Sequence, residues 1–224
     1  MDPLALLLAD SRFPSGSYAH SLGLEQAVND GLTDVPAFIR ARLRLVAAAD
    51  ARFAVEARRA CIQPVYRGQT PVCMWDTRAL DREWAARTPS PLLREGARRL
   101  GAQLLRSAAA VWPGGVIASY RVESTGTPRP IALGVVAAAA GLGDEDVALL
   151  ALYDDAATVA SATLKLLPLD PAVTARWLAD LAPQLSLMAR SVTLDRGPLP
   201  APAAVAIELA APIHREQRER LFAS

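Results

Sequence analysis

The chain has 224 residues, enough for one domain with a sizeable core that needs no metal or disulfide staples. Hydrophobic residues make up 52% of it but aromatics only 5%, so alanine and leucine dominate, and alanine fills helix interiors at the lowest entropic cost. With 24 basic and 23 acidic residues the net charge is +1, which gives no reason to expect a polyanionic partner such as nucleic acid. Cys61 and Cys73 are too few for a disulfide framework or a zinc site, and the expectation is a reduced pair. Asp2 near the start, no basic leader, and uncharged runs (107–120 and 130–143) shorter than the roughly 18 residues of a membrane span predict a cytoplasmic protein with no membrane segment.

Helix signals run through the chain in order. Residues 3–9 are apolar and helix-prone, and Pro14 and Gly16 break the segment after them. Helical pattern resumes over 21–29 and stops at Gly31. Asp34 before Pro36 starts the clearest amphipathic helix, with Ile39, Leu43, Val46, Ala49, Phe53 and Ala57 on one face. Arg40, Arg42, Arg44 and Arg52 fall elsewhere and are expected on its solvated side. Residues 63–72 read as a loop and 74–87 as a short helix. Ser90-Pro91 is an N-cap and first-turn pair for a helix carrying Leu93, Ala97, Leu100, Leu104, Ala108 and Val111, closed by Trp112-Pro113-Gly114-Gly115.

The best strand candidate is 115–122. An alanine-rich helix spans 131–140 and ends at Gly141 and Gly143. Asp144, Glu145 and Asp146 then place negative charge at a helix start, where the macrodipole favours it. That helix puts Val147, Leu150, Tyr153, Ala157, Ala160, Leu164 and Leu167 on one face and stops at Pro168. Asp170-Pro171 begins another, with Val173, Trp177, Leu181, Leu185 and Met188 as its stripe. Residues 203–222 are helix-prone after a proline-rich break. The expectation is an all-α, single-domain bundle of about eight to ten helices.

Little here resembles an active site. Gly114-Gly115 and Gly141-x-Gly143 lack the strand, spacing and lysine of a phosphate loop. His20 and His214 are the only histidines, short of the three or four ligands a metal centre takes, so no metal and no cofactor is expected. Ser11, Ser15, Ser17 and Ser21 lie among proline and glycine, where turn and capping roles suit them, with no nucleophile elbow. The residue chemistry therefore favours an interaction protein, with an all-α small-ligand-binding or regulatory domain as the alternative, its pocket at the N-terminal break.

The segment DSRFPSGSYAHSLGLEQAVNDGL resembles the N-terminal signature of the urease accessory protein UreF family through Phe13, Pro14, Ser15, Gly16, Ser17, Tyr18, Ser21, Gly23, Leu24, Glu25 and Gly31. Thr77-Arg78, the stretch from Arg94 to Leu104, IALGVVAAAAGL, the Lys165-x-x-Pro168 turn and the ending HREQRERLFAS extend the likeness along the whole chain. Arg215, Arg218 and Ala175 depart from the family's pattern at the tail and after the turn proline.

The resemblance implies one UreF-like helical domain over 1–224, with 203–224 a C-terminal partner-binding segment. It implies a scaffold rather than an enzyme, joining UreD (also called UreH) and the GTPase UreG on apo-urease for GTP-dependent nickel insertion, and a homodimer. The partner-binding residues it implies are Tyr18, His20, Glu25, Arg220, Leu221 and Phe222. Tyr18 offers a large ring with one polar end, and Arg220 a planar five-donor fork. The charged tail from His214 onward is expected to order only against a partner.

Overall fold

The structure, a computed structural model, describes residues 2–16, 20–62, 77–123, 126–201, 204–216 and 221–222, with the backbone alone at Arg78, 121–123 and 214–216. Every regular element among them is helical and none is a strand. The order is α1 (Pro3–Ala9), α2 (Leu24–Asn29), α3 (Val35–Arg42), a π-helical turn (Leu43–Ala47), α4 (Ala48–Ile62), α5 (Thr77–Ala86), α6 (Pro91–Val111), α7 (Gly115–Glu123), α8 (Arg129–Ala139), α9 (Asp144–Leu166), α10 (Pro171–Leu194) and α11 (Val205–Glu216).

The predicted helix starts at Asp34, Ser90 and Asp170 are real caps, and Asp2, not read as one, caps the first helix as well. The carboxylates of Asp2, Asp34 and Asp170 and the hydroxyl of Ser90 each accept a backbone N–H of the helix they precede. Such a contact satisfies a donor that the first turn leaves without a partner. Asp144 also does more than complement a dipole. It receives Arg58 Nη1 (2.5 Å) and Arg59 Nε (2.7 Å) from the end of α4, tying α4 to the start of α9.

Helix α8 is the centre of the bundle. Pro130 through Ala137 are buried on every side, as an all-round apolar helix must be. It packs on α4, α6, α7 and α9, while α9 also packs on α4 and α10. Approach is closest at Gly134, where a Cβ would stand 2.2 Å from the Ala54 carbonyl oxygen and 2.7 Å from the Ala57 Cβ. Gly101 on α6 is similarly pressed on the Thr127 carbonyl oxygen.

Several sequence expectations change. Residues 115–122 are helical: Ile117 and Tyr120, three apart, are the buried pair, a helical spacing rather than an alternating one. The π turn adds a residue to the α3–α4 rod, so the buried face after Leu43 passes to Ala47 and Ala51, leaving Val46 and Ala49 half-buried. Arg42 and Arg52 are not solvated but buried, in ion pairs with Asp155 and Glu56. On α9 the expected face is incomplete: Tyr153 and Leu164 are exposed while Leu152, Ala156 and Val159 are buried, because the helix is covered from more than one side.

Cys61, buried at the end of α4, is disulfide-bonded, against the expected reduced pair; Cys73 lies outside the described residues. Helix α9 is long and apolar enough to cross a membrane by length and composition, but most of that stretch is buried inside the bundle, as a core helix would be.

Two glycine substitutions should act in opposite directions. Gly134→Ala forces a methyl group into backbone and should cost at least about 2 kcal/mol. Gly96 on α6 is buried yet a Cβ there would meet nothing within 4 Å. Gly96→Ala should therefore stabilise the helix by about 0.5–1 kcal/mol. Urea unfolding of the two variants beside the parent checks both signs.

Candidate functional site

The N-terminal signature is first a docking element. Phe13 is buried in the core, and the carbonyl of Pro14 accepts Gln103 Nε2 (3.0 Å) and Ser107 Oγ (2.7 Å) from α6. Gly16 takes φ +83° against Leu100 and Gln103 of the same helix. Further on, Leu22 holds φ +54° and Gly23 φ +87°. For leucine that left-handed conformation is strained, and strain persists only where neighbours fix it. Arg42 fixes it: its Nη1 donates to the Leu22 carbonyl (2.9 Å), while Nε and Nη2 hold Asp155 on α9 at 3.1 and 2.5 Å.

The turn through Leu22 and Gly23 launches α2 and aims Glu25 inward. Glu25 is 4% exposed. Its Oε1 accepts the Leu221 N–H (2.6 Å) and its Oε2 the Phe222 N–H (3.2 Å). One carboxylate thus holds two backbone donors of the chain's far end, the charge-assisted arrangement that makes a strong hydrogen bond. Phe222 follows into the core at 4% exposure, with Lys165 Nζ 5.0 Å from its ring centroid. Leu221, one residue earlier, is 68% exposed. Helix α11 lies over the same turn, and Ile207 would be 3.3 Å from a Cβ at Gly23.

Of the six residues expected to bind partners, Tyr18 and Arg220 lie outside the described residues. Glu25, Leu221 and Phe222 are brought together, but two of the three face inward: Glu25 grips the tail and Phe222 is core. The expectation that the tail is unstructured in the free chain fails at Leu221 and Phe222, which are seated on the body. His20 is buried at 7% exposure, and burial, aided by the Arg99 and Arg129 charges, lowers its pKa to about 4. It is a neutral packing residue at neutral pH. Ala175 is exposed on α10; the backbone of Arg215 lies in α11, and Arg218 is outside the described residues. No group of three His, Cys, Asp or Glu among the described residues is placed to hold a metal.

Sequence reasoning missed Arg42, Asp155 and Asp50. Asp50 makes its contact inside the bundle, where it accepts Trp84 Nε1 (3.0 Å) from α5. Burial, reinforced by the nearby Asp155, raises its pKa to about 6, with Trp84, Arg42 and Arg129 pulling the other way. The signal was present in LVAAADARFAV and LLALYDDAATV, where carboxylates interrupt otherwise apolar helix faces.

Glu25→Gln keeps one acceptor but turns an amide N–H2 toward the second tail donor. It should cost about 2 kcal/mol and accelerate amide exchange at Leu221 and Phe222, read by hydrogen-exchange mass spectrometry of the C-terminal peptide. The two shifted groups give opposite pH slopes. His20, lowered, favours folding above its unfolded value of 6.5 and loses that advantage as pH falls toward about 4. Asp50, raised, favours folding below 3.8 and loses that contribution as pH rises through about 6. Asp50→Asn removes the second slope, so the variant should gain stability relative to the parent as pH rises from 4 to 6, measured as the difference in thermal midpoints.

The UreF family model matches residues 31–182 of this chain. Urease accessory protein UreF of Mycobacterium marinum is 33% identical over 230 residues, covering 100% of both chains. The protein of that name from Mycobacterium sp. strain JLS is 34% identical over 98% of this chain and 97% of its own. That of Mycobacterium tuberculosis is 35% identical over 87% of this chain and 89% of its own. The family match excludes most of the signature and all of the tail, but the full-length relatives span both. With its all-helical fold, the chain belongs to the UreF family of urease accessory proteins.

Proposed function

We propose that this chain is a non-enzymatic scaffold in urease maturation that bridges UreD (UreH) and the GTPase UreG on apo-urease, so that nickel insertion is coupled to GTP hydrolysis. The observation that carries this reading is the junction of the two chain ends at Glu25, which turns signature and tail into one element of surface. Around it the described residues carry large apolar side chains that the fold does not cover. On α11, Val205, Leu209 and Ile213 recur every four residues and are all more than half exposed. Such spacing lines one helix face. Leu221 continues the exposure at the tail, and α1, which packs on α9 near the start of the chain, exposes Leu6 and Leu7. Apolar helical faces of this kind fit a protein partner better than solvent.

The reading further assigns Tyr18 and Arg220 to partner contacts beside Leu221, and residues 203–224 to the partner-binding segment. It takes the working species to be a cytoplasmic homodimer that presents two GTPase copies. Phe222 and Glu25 then act indirectly, by seating the tail.

Co-expression with UreD and UreG from the same genome, followed by affinity capture, tests it. The parent chain should retain UreD. Leu221→Arg and Ile213→Arg, both at exposed positions, should lose most of that capture, a shift of tenfold or more in affinity, with circular dichroism unchanged. Absence of UreD from the parent's eluate, or equal capture by both variants, would overturn the assignment.

A further inference from the structure

A cavity of about 200 Å³ lies between the α3–α4 rod, α6 and α8, with α11 contributing to its wall. Most of that wall is apolar: Phe53, Trp84, Leu93, Leu100, Leu133 and Ile207 face it. The volume is below the about 300–1,000 Å³ of sites for drug-sized ligands, and suits a molecule of one ring. Two features mark it as more than a packing fault. The π turn lines it through Leu45, Val46 and Ala47, and the strained Leu22 borders it. Single π turns and strained residues gather at functional sites.

The charged groups facing the cavity are mostly paired within the protein, although Arg87 Nε and Arg129 Nη1 are buried without a hydrogen-bond partner among the described residues. Arg42 is paired with Asp155, and Arg129 with Asp154 at 2.6 Å. Arg87 is held by Glu83 at 2.5 Å, and Glu208 receives the Ser90 N–H at 2.6 Å. His20 is neutral at neutral pH. Asp50 differs. It sits deep in the bundle yet keeps accessible surface, because it faces this cavity. Among the described residues its one hydrogen bond is from Trp84 Nε1 to Oδ1, and no cation reaches ion-pair distance of it.

Arg42 and Arg129 act on Asp50 only from a distance, each engaged by its own carboxylate, and a buried carboxylate with no cation in contact is costly unless a cation or a proton joins it. With the Arg42–Asp155 and Arg129–Asp154 pairs neutral, Asp50 and Glu208 leave the lining negative, which disfavours an anion. A metal ion would need three or four ligands, and the described residues offer no such group. An organic cation needs only one carboxylate, and aromatic rings such as those of Phe53 and Trp84 favour cationic neighbours.

We propose that this cavity binds a small organic monocation, an ammonium or amidinium carried on an apolar body, with its charged end on the Asp50 carboxylate and its body among Phe53, Trp84 and Leu133. The site is independent of the scaffolding role, and its test uses the chain without partners.

Calorimetric titration of the full-length chain with benzylamine, beside benzyl alcohol as its uncharged counterpart, decides the matter. Benzylamine should bind, and the alcohol should bind at least roughly tenfold more weakly, since one charge-assisted contact is worth that much. Affinity for the amine should rise as pH passes above about 6, where Asp50 ionises. Asp50→Asn, which keeps the side-chain shape and an acceptor for Trp84, should lose the preference for amine over alcohol. Gly96→Met supplies a second variant that leaves Asp50 alone: its side chain starts in open space at the cavity wall and should block both ligands. No heat with the parent chain, equal affinity for amine and alcohol, or unchanged amine binding in either variant would overturn the proposal.

Discussion

The Arg42–Asp155 ion pair is the contact on which the junction of signature and tail depends. Its two side chains are 5% and 11% exposed, so neither charge has water to fall back on. Breaking such a buried pair by removing one partner typically costs about 3–5 kcal/mol, because the survivor is stranded. Here the guanidinium has a third task, the Leu22 carbonyl. That bond holds a leucine in a left-handed conformation that it would not choose, and the direction in which α2 leaves the turn depends on it. Glu25 lies on α2, the tail hangs on Glu25, and α11 crosses at Gly23. A chain of dependence therefore runs from one ion pair on α3 and α9 to the seat of the last described residues.

The same region explains why a close-packed bundle has a cavity. Around α8 the fold is built from Gly134, Ala54 and Ala57, and backbones approach until no methyl group could be added. The α3–α4 rod reaches that contact only after its π turn. One extra residue rotates the helix, so that Ala51 and Ala54 meet the core while Val46, Ala49 and Asp50 point toward a space the side chains opposite do not fill. Gly96 on α6 leaves that space open from the other side. Dense packing on one face of the rod and a gap on the other are thus two results of one register shift.

Much of this was legible in the sequence. The caps at Asp34, Ser90 and Asp170, the stops at Gly31 and Gly141 and the length of the helices come from local rules that tertiary contacts did not override. The signature was also legible as a family resemblance. The facts that stayed hidden are those that need two distant segments at once. No periodicity announces a π turn, because inserting one residue only replaces Val46 by Ala47 in a run of equally apolar choices. Arginines on a helix read as solvated until Asp155, 113 residues away, is placed beside Arg42. The segment 115–122 is rich in β-branched and aromatic residues, and only the burial of Ile117 with Tyr120 shows its period.

The tail shows how residues that look like a recognition element also make contacts within their own chain. Eleven residues of high charge that carry a Leu-Phe pair look like a free, recognisable end. Phe222 instead spends its apolar surface on its own chain, beside Lys165, the sole lysine. Burial of a phenylalanine contributes about 1.5–3 kcal/mol, and the two amide bonds to Glu25 add to it. That is enough to seat a chain end, though far from enough to make it immovable. The consequence is directional. With Phe222 anchored in the core at 4% exposure, Leu221 beside it is left 68% exposed. Glu25 and Phe222 thereby hold Leu221 at the surface, so that a residue of the signature sets the position of a side chain 196 residues away.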